Sequence, residues 1–279
     1  IQGGTFPSMD VKYQTEFIAD AYRAMNDFSK EFFIDENINL TKFKKFFELP
    51  GDFKNKERVE RVRRKIRDLK KSGNKKLLVL EQKQNEKTKV KCVGMTIETK
   101  PDWGFLKEGN QMLELGCTRV ELGLQSVYGK PLKLTNRGHN IADTIKSIQV
   151  LKDLGLKINA HYMLGLPGVK QEDEVAGLKE LFENPNFKPD MLKIYPLLVM
   201  KGTPLYLQWE RGQYEPITTA QAAEIISEAK RFIPKWVRIM RVNRDVPTHV
   251  TSAGIDRTNL RQYVKKLQDK KGITCNCIR

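Results

Sequence analysis

The chain has 279 residues, 39% of them apolar, and carries 50 Lys and Arg against 34 Asp and Glu, a formal net charge of +16. That length can bury one sizeable core and a small appendage. No uncharged apolar run approaches the roughly 18 residues that a bilayer span needs, and the N-terminus lacks a basic-then-apolar signal pattern, so a soluble, cytoplasmic chain with no membrane partner is expected. Four cysteines are too few for a disulfide scaffold at this size.

Ile1-Gln2-Gly3-Gly4 reads as the end of a strand whose beginning is missing, so the chain is taken as a fragment. Gly3 to Phe6 is a strand-to-loop turn, and Gly3-Gly4-Thr5 lets backbone groups approach a ligand closely because neither glycine has a Cβ. Val11 to Phe28 has the period of a helix, with Phe17, Ala21, Ala24 and Phe28 inward. Lys30 to Lys91 then forms a charged, largely helical insertion, longer than an ordinary crossover.

The charge is concentrated there: Lys42 to Lys91 holds nineteen basic and seven acidic residues. Lys54 to Lys71 reads as a helix with Val59, Val62, Ile66 and Leu69 on one face and Arg61, Arg64, Lys65 and Arg67 around the rest. A basic stripe on an ordered support is the electrostatic footprint of a polyphosphate partner. The competing reading is a solvated lysine-rich surface, but ion-pair networks need both signs and this segment has far more bases than acids.

Five β-branched runs follow: Val93 to Asp102, Thr118 to Ser126, Lys157 to Gly168, Asp190 to Thr203 and Trp236 to Pro247. Helical spacing separates them, as in Ile141-Ile145-Ile148-Leu151 and Val175-Leu178-Leu181. This βα alternation predicts an α/β fold with a parallel sheet joined by crossover helices. Its C-terminal strand ends, TIETKPD, ELGLQS, MLGLPG and YPLLVMKGTP, are where a pocket should open. A last helix near Arg257 to Lys270 ends at Gly272.

Glu121 and Gln125, four apart, share one strand face. A carboxylate and an amide there can bind a ribose, an amino group or a carboxylate, or else satisfy neighbouring strands. Lys193 and Tyr195 also share a face, and a lysine inside a barrel asks for an anionic partner. Lys235, Arg238, Arg241 and Arg244 accompany the last strand and could continue the basic surface. Cys92, placed in a strand, and Cys117 read as small buried residues. Cys275 and Cys277 could give two thiolates to one zinc, which normally takes four ligands. His139, His161 and His249 show no metal spacing and read as structural or pocket-lining.

The ordered set GGTF, TIETKPDW, TRVELGLQSVY, LTNRGH, GLPG, LKIYPLLVMKGTPLY, RVNRDVP and SAGIDRTNLR resembles the radical S-adenosylmethionine domain of the Elongator catalytic third-subunit family, in its archaeal form, from Gly3 to Arg279. GLPG and NRGH are shared with other radical S-adenosylmethionine enzymes; IETKPD followed by VELGLQSVY and NRDVP is more specific. The resemblance implies a partial (βα) TIM-like barrel with a basic helical insertion, binding S-adenosylmethionine and a [4Fe-4S] cluster. It implies modification of tRNA wobble uridine (U34) at C5 with acetyl-CoA, through a 5′-deoxyadenosyl radical. Gly3, Gly4 and Thr5 would hold the methionyl amino group, and Glu121 and Gln125 would contact the cofactor. Lys193 and Tyr195 would line the channel to the substrate. Arg61, Arg64, Lys65, Arg67, Arg238, Arg241 and Arg244 would contact tRNA, and Cys275 and Cys277 would begin a zinc-binding linker.

The expected organisation is 1–29 as the start of the core, with its first strand and cluster loop missing, 30–91 as the tRNA-binding insertion, 92–247 as the barrel, and 248–279 as the final helix and start of the linker. The chain lacks three closely spaced cysteines for the cluster and the family's acetyltransferase domain, so it is expected to be inactive alone. Other Elongator-like subunits or a second copy are expected partners. Two alternatives are a radical enzyme acting on a small metabolite, like coproporphyrinogen oxidase, and a non-catalytic tRNA-binding scaffold.

Overall fold

A computed structural model describes residues 1–72, 77–243, 246 and 250–278. Arg244, Asp245 and Pro247 of the RVNRDVP motif, His249 and Arg279 lie outside the described residues. The chain divides into two compact units, 9–95 and 1–8 with 96–279, whereas the sequence suggested divisions after 29, 91 and 247.

In the first unit, Asp10 starts helix α1 (Val11–Phe32) by accepting from the Lys12 and Tyr13 amides. A short antiparallel pair follows, β1 (Phe33–Ile34) and β2 (Asn37–Ile38), then α2 (Leu40–Phe47), α3 (Lys56–Ser72) and α4 (Leu78–Asn85). The inward face of α1 is not the expected one. Gln14, Ile18, Tyr22, Asn26, Ser29 and Phe32 are buried, while Phe17 is 43% exposed and Ala24 faces solvent. The reason is a polar seam. Asn26 Nδ2 donates to the Glu81 carbonyl (3.0 Å) and to Glu81 Oε2 (2.8 Å), Asn85 Nδ2 donates to Asn26 Oδ1 (2.9 Å), and Ser29 Oγ accepts from the Val90 amide (2.8 Å). Apolar periodicity cannot register such a face, and it ties α1 to α4 and 88–92, so α1 belongs with the insertion. Phe28, Phe32, Phe43, Phe46 and Phe47 pack with ring centroids 4.7–6.1 Å apart.

In the second unit, five parallel strands lie in the order β3 (Thr96–Thr99), β4 (Arg119–Gln125), β5 (Lys157–Leu164), β6 (Met191–Pro196) and β7 (Arg238–Val242). Between and after them run α5 (Leu106–Glu114), α6 (Gly129–Leu134), α7 (Ile141–Asp153), α8 (Gln171–Glu183), α9 (Pro204–Glu210), α10 (Thr219–Ala229) and α11 (Leu260–Lys271). This is the α/β partial (βα) barrel that the alternation of runs predicts. Gly272 caps α11 at φ 63°, as the sequence suggests. The first run yields a strand only from Thr96: Val93 is 97% exposed, and Cys92 lies in irregular chain rather than in a strand. Ile1 joins the sheet edge, its amine donating to the Thr96 carbonyl and its carbonyl accepting from the Glu98 amide.

The period of two sorts the strand residues. Val120, Leu122 and Leu124, Ile158, Ala160, Tyr162 and Leu164, and Leu192 and Ile194 are almost wholly buried, with Met112, Leu115, Ile148, Leu151, Leu178, Leu181 and Ile226 of the helical layer. Glu121, Asn159, His161 and Lys193 take the alternate positions, so the sheet's other face is polar. Among the described residues no helix is long and apolar enough to cross a membrane. Leu122 is fully buried in the central sheet, so Leu122→Ala should lower unfolding free energy by about 2–5 kcal/mol, measured by urea denaturation; a loss below about 1 kcal/mol would mean the layer is not close-packed there.

Candidate functional site

The C-terminal ends of all five strands open onto one cavity of about 780 Å³. Glu98, Thr99 and Lys100 line it from β3 and its end, Gly123 and Gln125 from β4, His161 and Met163 from β5, Lys193 and Tyr195 from β6, and Arg241 from β7. Gln2, Gly3, Gly4 and Thr5 close one side, with Arg137 and Val246 completing the wall. Gly3 and Gly4 have φ 113° and 129°, and a Cβ built on either would meet nothing within 4 Å. It is therefore backbone conformation, not crowding, that requires glycine there.

Glu121 lies one layer beneath this surface. It is 2% exposed and does not line the cavity. Its Oε1 accepts from Asn159 Nδ2 (3.2 Å), and its Oε2 accepts from His161 Nε2 (2.9 Å), from Lys193 Nζ and from Gln2 Nε2 (3.4 Å). Burial alone would raise its pKa, but hydrogen bonds from His161 and Lys193 and their charges outweigh it and hold the carboxyl at about 2. Glu121, expected from the sequence to contact the cofactor, lies behind Lys193 and His161, which themselves line the cavity. His161 stands edge-on to Tyr195, ring centroids 5.3 Å apart.

Gln125 does reach the cavity. It sits at φ 65°, in the left-handed region that side chains rarely adopt, where pairing with β5 shifts register. Its Oε1 is buried without a hydrogen-bond partner, as is Arg137 Nε. Arg137 Nη2 makes a long contact to the Gly123 carbonyl (3.4 Å), and burial lowers its pKa. Buried polar atoms normally find partners, so an orphaned acceptor and donor on one wall mark where a polar ligand completes the site. These are an observation the sequence did not single out, as are Glu98, Lys100 and the alignment of His161 with Lys193. Lys100 pairs with Asp102 at 3.1 Å.

The residues expected at a nucleic-acid surface divide. Arg61 bonds Glu48 through Nη2 (2.9 Å) and Nε, and Lys65 bonds Glu48 Oε1 (2.9 Å) and the Phe46 carbonyl (3.0 Å). The Arg61 and Lys65 hydrogen bonds lower the Glu48 pKa to about 2. Both cations thus fasten α3 to the end of α2. Arg67 lies 3.7 Å from Glu60, and among the described residues Arg64 has no acidic partner. Arg238 is exposed at the start of β7, whereas Arg241 turns into the cavity, in register with Lys193. The last strand's basic series is therefore not one continuous surface.

Cys117 is buried as expected. No cysteine lines the cavity, and among the described residues no three His, Cys, Asp or Glu converge on a metal position, so these residues do not by themselves hold a [4Fe-4S] cluster. Cys275 and Cys277 sit near the start of β7, where the Ile278 amide donates to the Val237 carbonyl (3.0 Å), at the strand end away from the cavity. Two thiols alone do not make a zinc site, which normally takes four ligands.

Two family models match, the Radical SAM superfamily over residues 69–178 and the Radical_SAM C-terminal domain over 189–269. The chain belongs to the radical SAM superfamily. Within it, the chain is similar to two curated proteins named tRNA uridine(34) acetyltransferase, at 42% identity in Methanocaldococcus infernus and 43% in Methanocaldococcus jannaschii, both over all of this chain and 44% and 43% of theirs. It is also 40% identical to human Elongator complex protein 3 over 71% of this chain and 36% of that one. The solved structure of archaeal Methanocaldococcus infernus Elp3 with an N-terminal deletion superposes with a TM-score of 0.82, at 42% identity, covering all of this chain and 55% of that one. The chain thus spans less than half the length of the curated relatives it matches.

The Glu121 carboxyl supplies a pH test. Its folded pKa is depressed from 4.5 to about 2, so its stabilisation is present above pH 4.5 and is lost as pH falls through 2. Glu121→Gln should cost on the order of 3 kcal/mol near neutrality, because it leaves Lys193 buried without its counter-charge. The gap from the unsubstituted chain should shrink on acidification. A gap independent of pH in denaturation experiments would show that the carboxylate's charge is not what stabilises.

Proposed function

We propose that this chain is the S-adenosylmethionine-binding core of a tRNA-modifying enzyme of the Elongator catalytic-subunit type, acting at C5 of wobble uridine with acetyl-CoA as the acyl source. The observation that carries the reading is the cavity wall itself: an orphaned Gln125 acceptor and Arg137 donor facing the Gly3–Gly4 turn at the strand ends. These residues fit S-adenosylmethionine. The Gly3–Thr5 backbone and Glu98 suit its amino group, Arg137 its carboxylate, and Gln125 Oε1 a hydroxyl or amino donor. The names of the relatives support tRNA uridine 34 as the substrate and acetyl transfer as the reaction class.

S-adenosylmethionine bound here would supply, with a reducing cluster, single-electron chemistry that removes a hydrogen atom. What this chain's residues do is orient and exclude water. Lys193 and Tyr195 face the channel toward the substrate, with Lys193 pinned by Glu121. The unit at 9–95 binds the tRNA backbone through α3, with Arg64 the freest cation of the stripe and Arg67 beside it. A wobble base must leave its stack to react, at a cost of a few kcal/mol that phosphate contacts offset. Arg241, expected on that surface, serves the cavity instead. Cys275 and Cys277 supply two zinc ligands completed by further donors, and the enzyme works in the cytoplasm with Elongator-like subunits or a second copy.

Filter binding of tRNA should show affinity that falls steeply with salt, and Arg64→Glu should weaken it about three- to tenfold and lower the salt slope by about one. Weak binding that is flat with salt would favour a small-molecule substrate. Changing Arg61, Arg64 and Lys65 together is a poorer test, because two of them clasp Glu48. In the full-length protein, Gln125→Ala should raise the calorimetric Kd for S-adenosylmethionine at least about fivefold, the loss of about one net hydrogen bond; no change would remove Gln125 from the site.

A further inference from the structure

We propose that His161 is the proton-transfer residue of the cavity and that Glu121 is the positioning residue that fixes its tautomer. The role of His161 rests on the reading of the cavity as the reaction site; the tautomer does not. An ionised carboxylate only accepts hydrogen bonds, and Glu121 is ionised throughout the neutral range. Its Oε2 lies 2.9 Å from His161 Nε2, so Nε2 carries a hydrogen whatever the charge of the ring. In the neutral ring, Nδ1 is then the nitrogen with the free electron pair.

Nδ1 looks toward Glu98 Oε1 on β3, at 3.8 Å, beyond hydrogen-bond reach, and His161 and Glu98 both line the cavity. The titratable groups around the ring are Glu121 from β4, Glu98 from β3, and Lys193 and Tyr195 from β6, with neutral Asn159 on its own strand. The lysine's charge is already bonded to Glu121, and the perpendicular Tyr195 ring limits rotation. A base whose second nitrogen is held by a buried carboxylate, with the first open to a ligand, is the base-and-orienter arrangement of proton-transfer sites.

The step is simple. A ligand X–H gives its proton to Nδ1 and keeps the bonding electron pair, and the imidazolium later returns the proton to the ligand or to water. Nitrogen-15 NMR of the histidine side chains tests the tautomer directly, since the chain has three histidines and His161→Gln assigns the signal. The neutral ring of His161 should be the Nε2–H form, and Glu121→Gln should shift it toward a mixture. A dominant Nδ1–H form, or a tautomer indifferent to Glu121→Gln, would overturn the proposal. Should Glu121→Gln not fold, the spectrum of the unsubstituted chain decides.

In the full-length protein, His161→Asn should reduce turnover about a hundredfold and remove the acid limb of the pH–rate profile, with Kd for S-adenosylmethionine and for tRNA within about threefold. Unchanged turnover or an unchanged pH profile overturns the role. An unsubstituted protein with the expected tautomer that binds neither ligand would instead strike the functional reading.

Discussion

A carboxylate taken out of water loses several kcal/mol of solvation unless donors replace it, and Glu121 is the place where this fold meets that cost. Asn159 and His161 on β5, Lys193 on β6 and Gln2 in the N-terminal segment all donate to its two oxygens. One charge therefore ties three consecutive parts of the sheet and the segment that closes the cavity. The register follows from it. Glu121 pairs with Asn159, and His161 with Lys193, across adjacent strands. A slip of one residue would turn these side chains into the helical layer and bring Leu122 or Ile194 to the polar face. The same contact that orients the lining side chains thus also forbids the alternative pairings, so stability of the register and geometry of the site cannot be varied separately.

The parallel sheet was legible because β-branched runs and helical spacing alternate plainly from 96 onward, and the cavity's place followed from strand direction. Glu121 with Gln125, and Lys193 with Tyr195, were each legible as sharing one strand face because the side-chain period in a strand is two. His161 obeys the same arithmetic, two residues after Asn159 in INAHYML, but a single strand says nothing of what stands opposite. Only the register with β4 and β6 brings it to Glu121 and Lys193. The depth of Glu121 was illegible for the same reason. α1 was misread because its buried face includes Asn26 and Ser29, which amphipathic patterning scores as outward, while Phe17 and Ala24 are exposed.

Charge was the least legible quantity. A count of cations along α3 does not separate Arg61 and Lys65, which share Glu48, from Arg64, which has no such tie among the described residues. The distinction is physical: a cation bonded to a carboxylate must give up that partner before it neutralises a phosphate, so its contribution to nucleic-acid affinity is a difference and not a sum. The same holds along β7, where an exposed Arg238 and an Arg241 that enters the cavity stand three positions apart. Net charge of +16 sets the sign of the long-range field, and local pairing decides which side chains can act on it.

Within the cavity the two signs are kept apart. Lys193 is neutralised from below by Glu121, and Lys100 from the side by Asp102. Both pairings reduce what those lysines can offer a bound anion. Arg137 remains with a buried donor unmet, and Glu98 Oε1 stands 3.8 Å from His161 Nδ1, beyond hydrogen-bond distance. A purely anionic ligand would satisfy Arg137 and be repelled by Glu98; a purely cationic one would do the reverse. A ligand carrying both charges relieves both at once, and the turn at Gly3 and Gly4, with no side chain in the way, leaves room for its polar head.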